Sequence, residues 1–188
     1  MDQEEILDEV EMAGMQMDSS IDHLKHELAK ISTGKASPAM VKELLVDYYG
    51  APTPMAQVAN ISTSDARTLV IQPWEKSTLA GIERAIFEAN LGVTPQNDGE
   101  VVRIIIPMLT EERRKELAKK AKSEGEHAKV GVRNARRAIM EKIKKAVKAG
   151  YPEDQGKRLE GDVDGMTKKH SESIDELVAA KEKDIMTV

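Results

Sequence analysis

The run Val130-Gly131-Val132-Arg133-Asn134-Ala135-Arg136-Arg137-Ala138 sits inside a longer stretch, residues 111–148, whose periodicity decides the fold. At 3.6 residues per turn, Leu117, Ala121, Ala128, Val132, Ala135, Ile139, Ile143 and Ala146 return to one face in steps of three and four, with Gly125 in register. Roughly a third of a turn away, Lys115, Lys119, Lys122, Lys129, Arg133, Arg137, Lys144 and Lys148 form a second line. Arg136 stands at the edge of that line nearest the core face. The spacing predicts one long helix with a packing face and a separate cationic face. Residues 110–149 hold 14 Lys plus Arg against 6 Asp plus Glu, a balance of +8 in a chain of net charge −5. Charge sorted in this way points to a polyanionic partner.

A helix rich in Lys and Glu is ordinarily just a solvated face. Glu111, Glu112 and Glu116 fit that plainer reading, since they complement the helix dipole and can pair at i, i+4. Beyond Glu126 the acidic residues thin out. From Lys129 to Arg137 four cations have only Glu141 nearby, and three of them are arginine, whose planar fork suits bidentate phosphate contact. The candidate anion-binding residues are therefore Lys122, Lys129, Arg133, Arg136 and Arg137.

Two further helices flank this one in the sequence. Ile6, Val10, Ala13, Met17, Ile21, Leu24, Leu28 and Ile31 give an amphipathic helix over residues 4–31, with 9 acidic residues against 2 lysines through residue 31. After the breaker Gly150-Tyr151-Pro152, with Pro152 suited to a first helical position, Leu159, Val163, Met166, His170, Ile174 or Ser173, Leu177 and Ala180 give a third stripe. His170 lies on that stripe and reads as a packed or partly buried histidine, ahead of a catalytic one. Helices this one-sided bury their stripes against one another, as an elongated three-helix bundle.

The middle of the chain changes period. Ser32-Thr33-Gly34-Lys35-Ala36-Ser37-Pro38 breaks the first helix, and strand-like runs follow at 45–49, 58–62 and 68–72, with turns expected at 50–54 and 63–65. Residues 75–90 return to helical spacing, ended by Gly92. Asn97-Asp98-Gly99 then joins Val93-Thr94 to the apolar run 101–106 as a hairpin, and Pro107 closes it. The expected class is α+β: a discontinuous bundle domain of residues 1–31 and 108–188, and an inserted small α/β domain of residues 32–107. Ser32, Thr33 and Gly34 on the way out, with Ile106 and Pro107 on the way back, are the candidate hinge.

Composition narrows the chemistry. There is no cysteine, so disulfides and thiolate metal sites are excluded, and His23 with His26 lack further ligands for a metal. Gly34-Lys35 fails as a phosphate loop, because Ala29 and Ala36 occupy positions that need Gly and Ser or Thr. The acidic start Met1-Asp2-Gln3-Glu4-Glu5 is wrong for a signal peptide and no long apolar span is present, so the expected setting is the cytoplasm, with no membrane partner. No constellation of nucleophile, base and orienting group is visible, which argues against an enzyme and against a cofactor.

Four blocks carry a family resemblance: Thr33-Gly34-Lys35-Ala36-Ser37-Pro38, Tyr48-Tyr49-Gly50-Ala51-Pro52-Thr53-Pro54, Leu109-Thr110-Glu111-Glu112-Arg113-Arg114-Lys115 and Val132-Arg133-Asn134-Ala135-Arg136-Arg137. In that order and spacing the chain resembles the bacterial ribosome recycling factors over its whole length. The resemblance implies an L-shaped pair of domains and a non-enzymatic role with elongation factor G and GTP, splitting the ribosome from the messenger after termination. It also implies that Arg133, Arg136 and Arg137 contact large-subunit ribosomal RNA, on the stripe already found from periodicity. Ser32 and Lys35 stand where many members have arginine, which leaves Lys35 as an additional candidate RNA contact. A monomer is expected, since an unbroken basic face is unsuited to burial in a dimer. The competing class is a helical protein-interaction adaptor that works through its acidic first helix.

Overall fold

The computed structural model describes residues 3–187. In chain order its elements are α1 (Gln3–Ala29), β1 (Leu45–Tyr48), β2 (Ala51–Pro54), α2 (Met55–Val58), β3 (Ala59–Asp65), β4 (Thr68–Pro73), α3 (Leu79–Glu88), β5 (Pro95–Asn97), β6 (Val102–Ile105), α4 (Glu111–Lys148) and α5 (Glu153–Met186). The chain divides into two compact units, one formed up to Ile31 and again from Lys115, the other by Ser32–Arg114. The second unit thus runs past Pro107 and keeps the first turn of α4, because Leu109 lies against Gly34 and holds the return segment there.

In the helical unit, every residue of the predicted α4 stripe is buried, Gly125 included. Ile6, Ala13, Met17, Leu24 and Leu28 face it from α1, and Leu159, Val163, Ile174 and Ile185 from α5. Each fully buried Ile, Leu or Met contributes about 1.5–3 kcal/mol relative to exposure, which is what makes three marginal helices cooperative. Small residues set the spacing. A Cβ on Gly125 would stand 2.6 Å from Val178 Cγ2, and one on Gly156 would stand 2.5 Å from Val147 Cγ2. Valine is stiff at χ1, so Gly125→Ala should cost stability despite its better helix propensity, by about 1–2 kcal/mol net of the two effects. A urea midpoint equal to wild type or higher would show that α4 and α5 have room to separate.

The α5 stripe departs from expectation at its end. Ala180 is exposed, and the core face runs through Ile174, Val178 and Ile185 with half-buried Lys181 between the last two. Burial pushes the Lys181 ammonium below its usual range, while Asp184 pulls it back. Pro152 is the N-cap of α5 and not its first residue, with extended ψ of 128°. His170 ties α5 to α1: Nδ1–H donates to Met166 O at 2.7 Å and Nε2 lies 2.7 Å from Asp18 Oδ1.

The second unit is a four-stranded antiparallel sheet, order β3-β4-β6-β5, with α3 and the β1-β2 hairpin enclosing its core. Val46, Met55, Leu69, Ile71, Ile82, Val102 and Ile104 are all but inaccessible to solvent. Three local expectations are corrected. Residues 51–54, read as a turn, form β2, because Tyr49 and Gly50 both take positive φ (50° and 81°) and make a tight hairpin turn. Met55 N–H donates to Leu44 O at 2.8 Å, the ladder phase that leaves Pro52 and Pro54 on the free edge, where a missing N–H costs nothing. The strand expected at Val93-Thr94 lies two residues later, opened by Pro95 opposite Ile104. α3 ends at Glu88 with Ala89 as its C-cap, and Asn90 with φ of 51° takes the left-handed position after it, before Gly92 is reached.

Two aspartates set turns in this unit. The N–H of Arg67 and the Thr68 hydroxyl hold the Asp65 carboxyl below its usual range; the N–H groups of Val101 and Glu100, with Arg103, do the same for Asp98. A lowered folded-state value contributes stability above the ordinary carboxylate range and loses it as pH falls through the folded value. The unfolding midpoint followed by Trp74, the chain's single tryptophan, should hold from about pH 7 to 5 and decline below about pH 4. Both turns are solvent-exposed, so the decline is small. An identical acid limb in the Asp65→Asn, Asp98→Asn double variant would assign it to other groups.

Candidate nucleic-acid interface

The cationic face belongs to α4, whose 38 residues span about 57 Å. Because the apolar residues occupy one side, the two flanking helices take up the arcs beside the core and leave the far side to solvent. Where each cation stands relative to those arcs decides whether it is free.

Three of the five candidates stand at the α5 edge. Lys122 Nζ lies 4.0 Å from Glu182 Oε1, Lys129 Nζ 2.6 Å from Asp175 Oδ1, and Arg136 Nε 2.9 Å from Asp164 Oδ1. These cations are spaced by seven residues, two helical turns, so they fall on one line along the helix pair. On the opposite edge Lys142 pairs with Glu9 of α1. The acidic partners on α5 were not identified from sequence, although Asp175 and Glu182 are themselves seven residues apart.

Arg133 and Arg137 are different. They are exposed, one turn apart on the solvent side, and neither has an ion-pair partner among the described residues. Lys119, Lys144 and Lys148 are exposed along the same line, and Lys115 is exposed at its start. Two adjacent guanidinium groups present up to ten N–H donors in fixed planes, with no acceptor, which is chemistry for a phosphate backbone. Arg136 adds to this despite its pairing. Asp164 takes Nε, so at 43% side-chain exposure both terminal nitrogens are left for a second acceptor.

The remaining candidates lie in the second unit. Ser32 is exposed and its Oγ accepts from Gly34 N–H at 3.3 Å; Thr33, Gly34 and Lys35 are half-buried. Pro107 is exposed, whereas Ile106 is 3% exposed and packs in the core of that unit. Among the described residues no helix is long and apolar enough to cross a membrane.

The family profile described as Ribosome recycling factor matches residues 24–186. The chain is 51% identical over 173 residues to the ribosome-recycling factor of Albidiferax ferrireducens, covering 92% of this chain and 93% of that one. It is 53% identical over 173 residues to that of Staphylococcus epidermidis, covering 92% and 94%, and 46% identical over 185 residues to that of Porphyromonas gingivalis, covering 98% and 100%. A solution structure of the ribosome recycling factor, 38% identical, superposes over 100% of both chains with a TM-score of 0.87. A structure of the T. thermophilus ribosome recycling factor and the E. coli elongation factor G bound to the E. coli post-termination complex matches at a TM-score of 0.67, with 38% identity over 100% of both chains.

Proposed function

The chain belongs to the ribosome recycling factor family, and from that premise we propose that with elongation factor G and GTP it splits post-termination ribosomes and releases them from messenger RNA. The observation that carries the reading is the outer face of α4, where Arg133 and Arg137 stand exposed without acidic partners beside a half-paired Arg136. That face binds large-subunit ribosomal RNA through phosphates, with Lys122 and Lys129 contributing charge from the α5 edge. The protein itself performs no covalent chemistry; GTP is consumed by its partner. It works as a monomer in the cytoplasm, where its ribosomes are.

Binding is the anchor and the small unit is the lever. Two chain crossings join the units, so a push on the small unit pivots it about residues 32–34 and 106–107, and the strain falls on intersubunit contacts. Lys35, beside the first crossing, adds a point charge for RNA where the family often has arginine.

The test is sedimentation of post-termination ribosomes with this protein, with and without elongation factor G and GTP. Subunits should appear only with all three components. Binding of the protein alone should weaken with salt, log K falling by about 0.7–0.9 per log unit for each phosphate engaged. Salt-indifferent binding without splitting would favour the protein-interaction adaptor.

A further inference from the structure

The turn between β3 and β4 touches both chain crossings. Ala66 O accepts from Ala36 N–H at 2.8 Å, on the outgoing segment, and Arg67 O accepts from Ile106 N–H at 2.7 Å, on the returning one. Two consecutive carbonyls of one turn therefore fix two segments seventy residues apart in the chain. The turn is shaped by Asp65, whose Oδ1 accepts from Arg67 N–H at 2.9 Å and whose Oδ2 accepts from the Thr68 hydroxyl at 3.0 Å. β3 and β4 shift register between Thr63 and Asp65 as they enter this turn, and the bond from Ile106 N–H to Arg67 O carries the β4–β6 pairing one step beyond Thr68 and Ile105.

Beyond this turn the crossings are held more lightly. Gly34 has φ of 72°, open only to glycine at low cost, and a Cβ there would meet Leu109 Cγ at 3.1 Å. The outgoing and returning segments thus meet where Leu109 lies against Gly34. Residues 32–33 carry no regular structure and 34–35 form a bend, residues 107–110 carry no regular structure, and α4 begins where Thr110 Oγ1 accepts from Arg113 N–H at 3.1 Å.

We propose that the β3–β4 turn, set by Asp65, grips both crossings at the small unit, confines the pivot to residues 32–35 and 107–110, and makes Asp65 a positioning residue for ribosome splitting. This rests on the lever reading above. A push on the small unit reaches the bundle only if both crossings leave from a common rigid point. If one came loose, the small unit would swing without straining anything. Ile106, buried and bonded to the turn, then drops out of the pivot given above as residues 32–34 and 106–107, and on the return the moving residues begin at Pro107.

Hydrogen exchange of the full-length protein tests the grip without any variant. The amides of Ala36 and Ile106 should exchange at least about tenfold more slowly than those of Gly34 and Met108. In Asp65→Ala both should speed up together, by about the tenfold that one lost hydrogen bond supplies, while Val70 and Ile71 in β4 stay protected. Splitting should slow by a similar factor with ribosome affinity unchanged. Asp65→Asn, which keeps an oxygen for Arg67 N–H, should restore most of both. Fast exchange at Ala36 or Ile106 in the unaltered protein overturns the proposal, and so does normal splitting by an Asp65→Ala protein that has lost protection at both. Should a protein covalently clamped across the two units also split ribosomes normally, the lever reading fails with it; slow splitting by the clamped protein beside normal splitting by Asp65→Ala rejects the grip alone.

Discussion

Replacing both Arg133 and Arg137 by alanine should reduce ribosome affinity at least a hundredfold while leaving helicity and melting near wild type. The two side chains are exposed, and neither closes an ion pair among the described residues, so the folded protein loses nothing it was using. A charge-assisted contact to phosphate is worth roughly 1.5–3 kcal/mol, and two of them together account for a factor of a hundred or more. Arg136→Ala is the informative contrast. It removes a fork whose Nε is held by Asp164, an exposed pair that contributes about 0–1 kcal/mol to stability, so it should weaken binding and lower the unfolding midpoint slightly. Ribosome pelleting titrations at two salt concentrations check all three proteins, and the double variant should also show a shallower salt slope. Full affinity in the double variant would move the RNA contact off this face.

The bundle core was legible in the sequence because steps of three and four leave no other way to place Leu117, Val132, Ile139 and Ile143 on one side. The same periodicity separated the cationic line from the core. It did not tell which cations are free. Lys122 and Lys129 look like Arg133 in a helical projection, and only the docking of α5 brings Glu182 and Asp175 against them. Ala180 was misplaced for a related reason: a lysine at 181 reads as solvent-facing, yet its long apolar stem lets it cover the core edge between Val178 and Ile185. In the small unit the strands with β-branched runs, such as residues 102–105, were plain. β2 was hidden by two prolines that are tolerated only because the hairpin phase leaves them on an edge, and that phase depends on Tyr49 adopting φ above zero, which its side chain does not announce. The candidate hinge rests in the sequence on punctuation at Gly34 and Pro107, whereas the burial of Ile106 and its bond to the β3–β4 turn are long-range pairings with no local signature.

The largest loss of activity should come from restraining the small unit. The chain has no cysteine of its own, so one introduced in each unit can be joined by a short bifunctional reagent and released again by reduction, with no competing thiol. Joined protein keeps α4 and its arginines intact and should bind ribosomes with the affinity of the reduced form. It should fail to split them, because the anchored bundle no longer has a lever to be pushed. Splitting by light scattering, measured beside ribosome affinity for the joined and reduced forms with elongation factor G and GTP, is the most direct measurement: equal affinities with splitting only after reduction are predicted, and splitting at the same rate before reduction would contradict the lever mechanism.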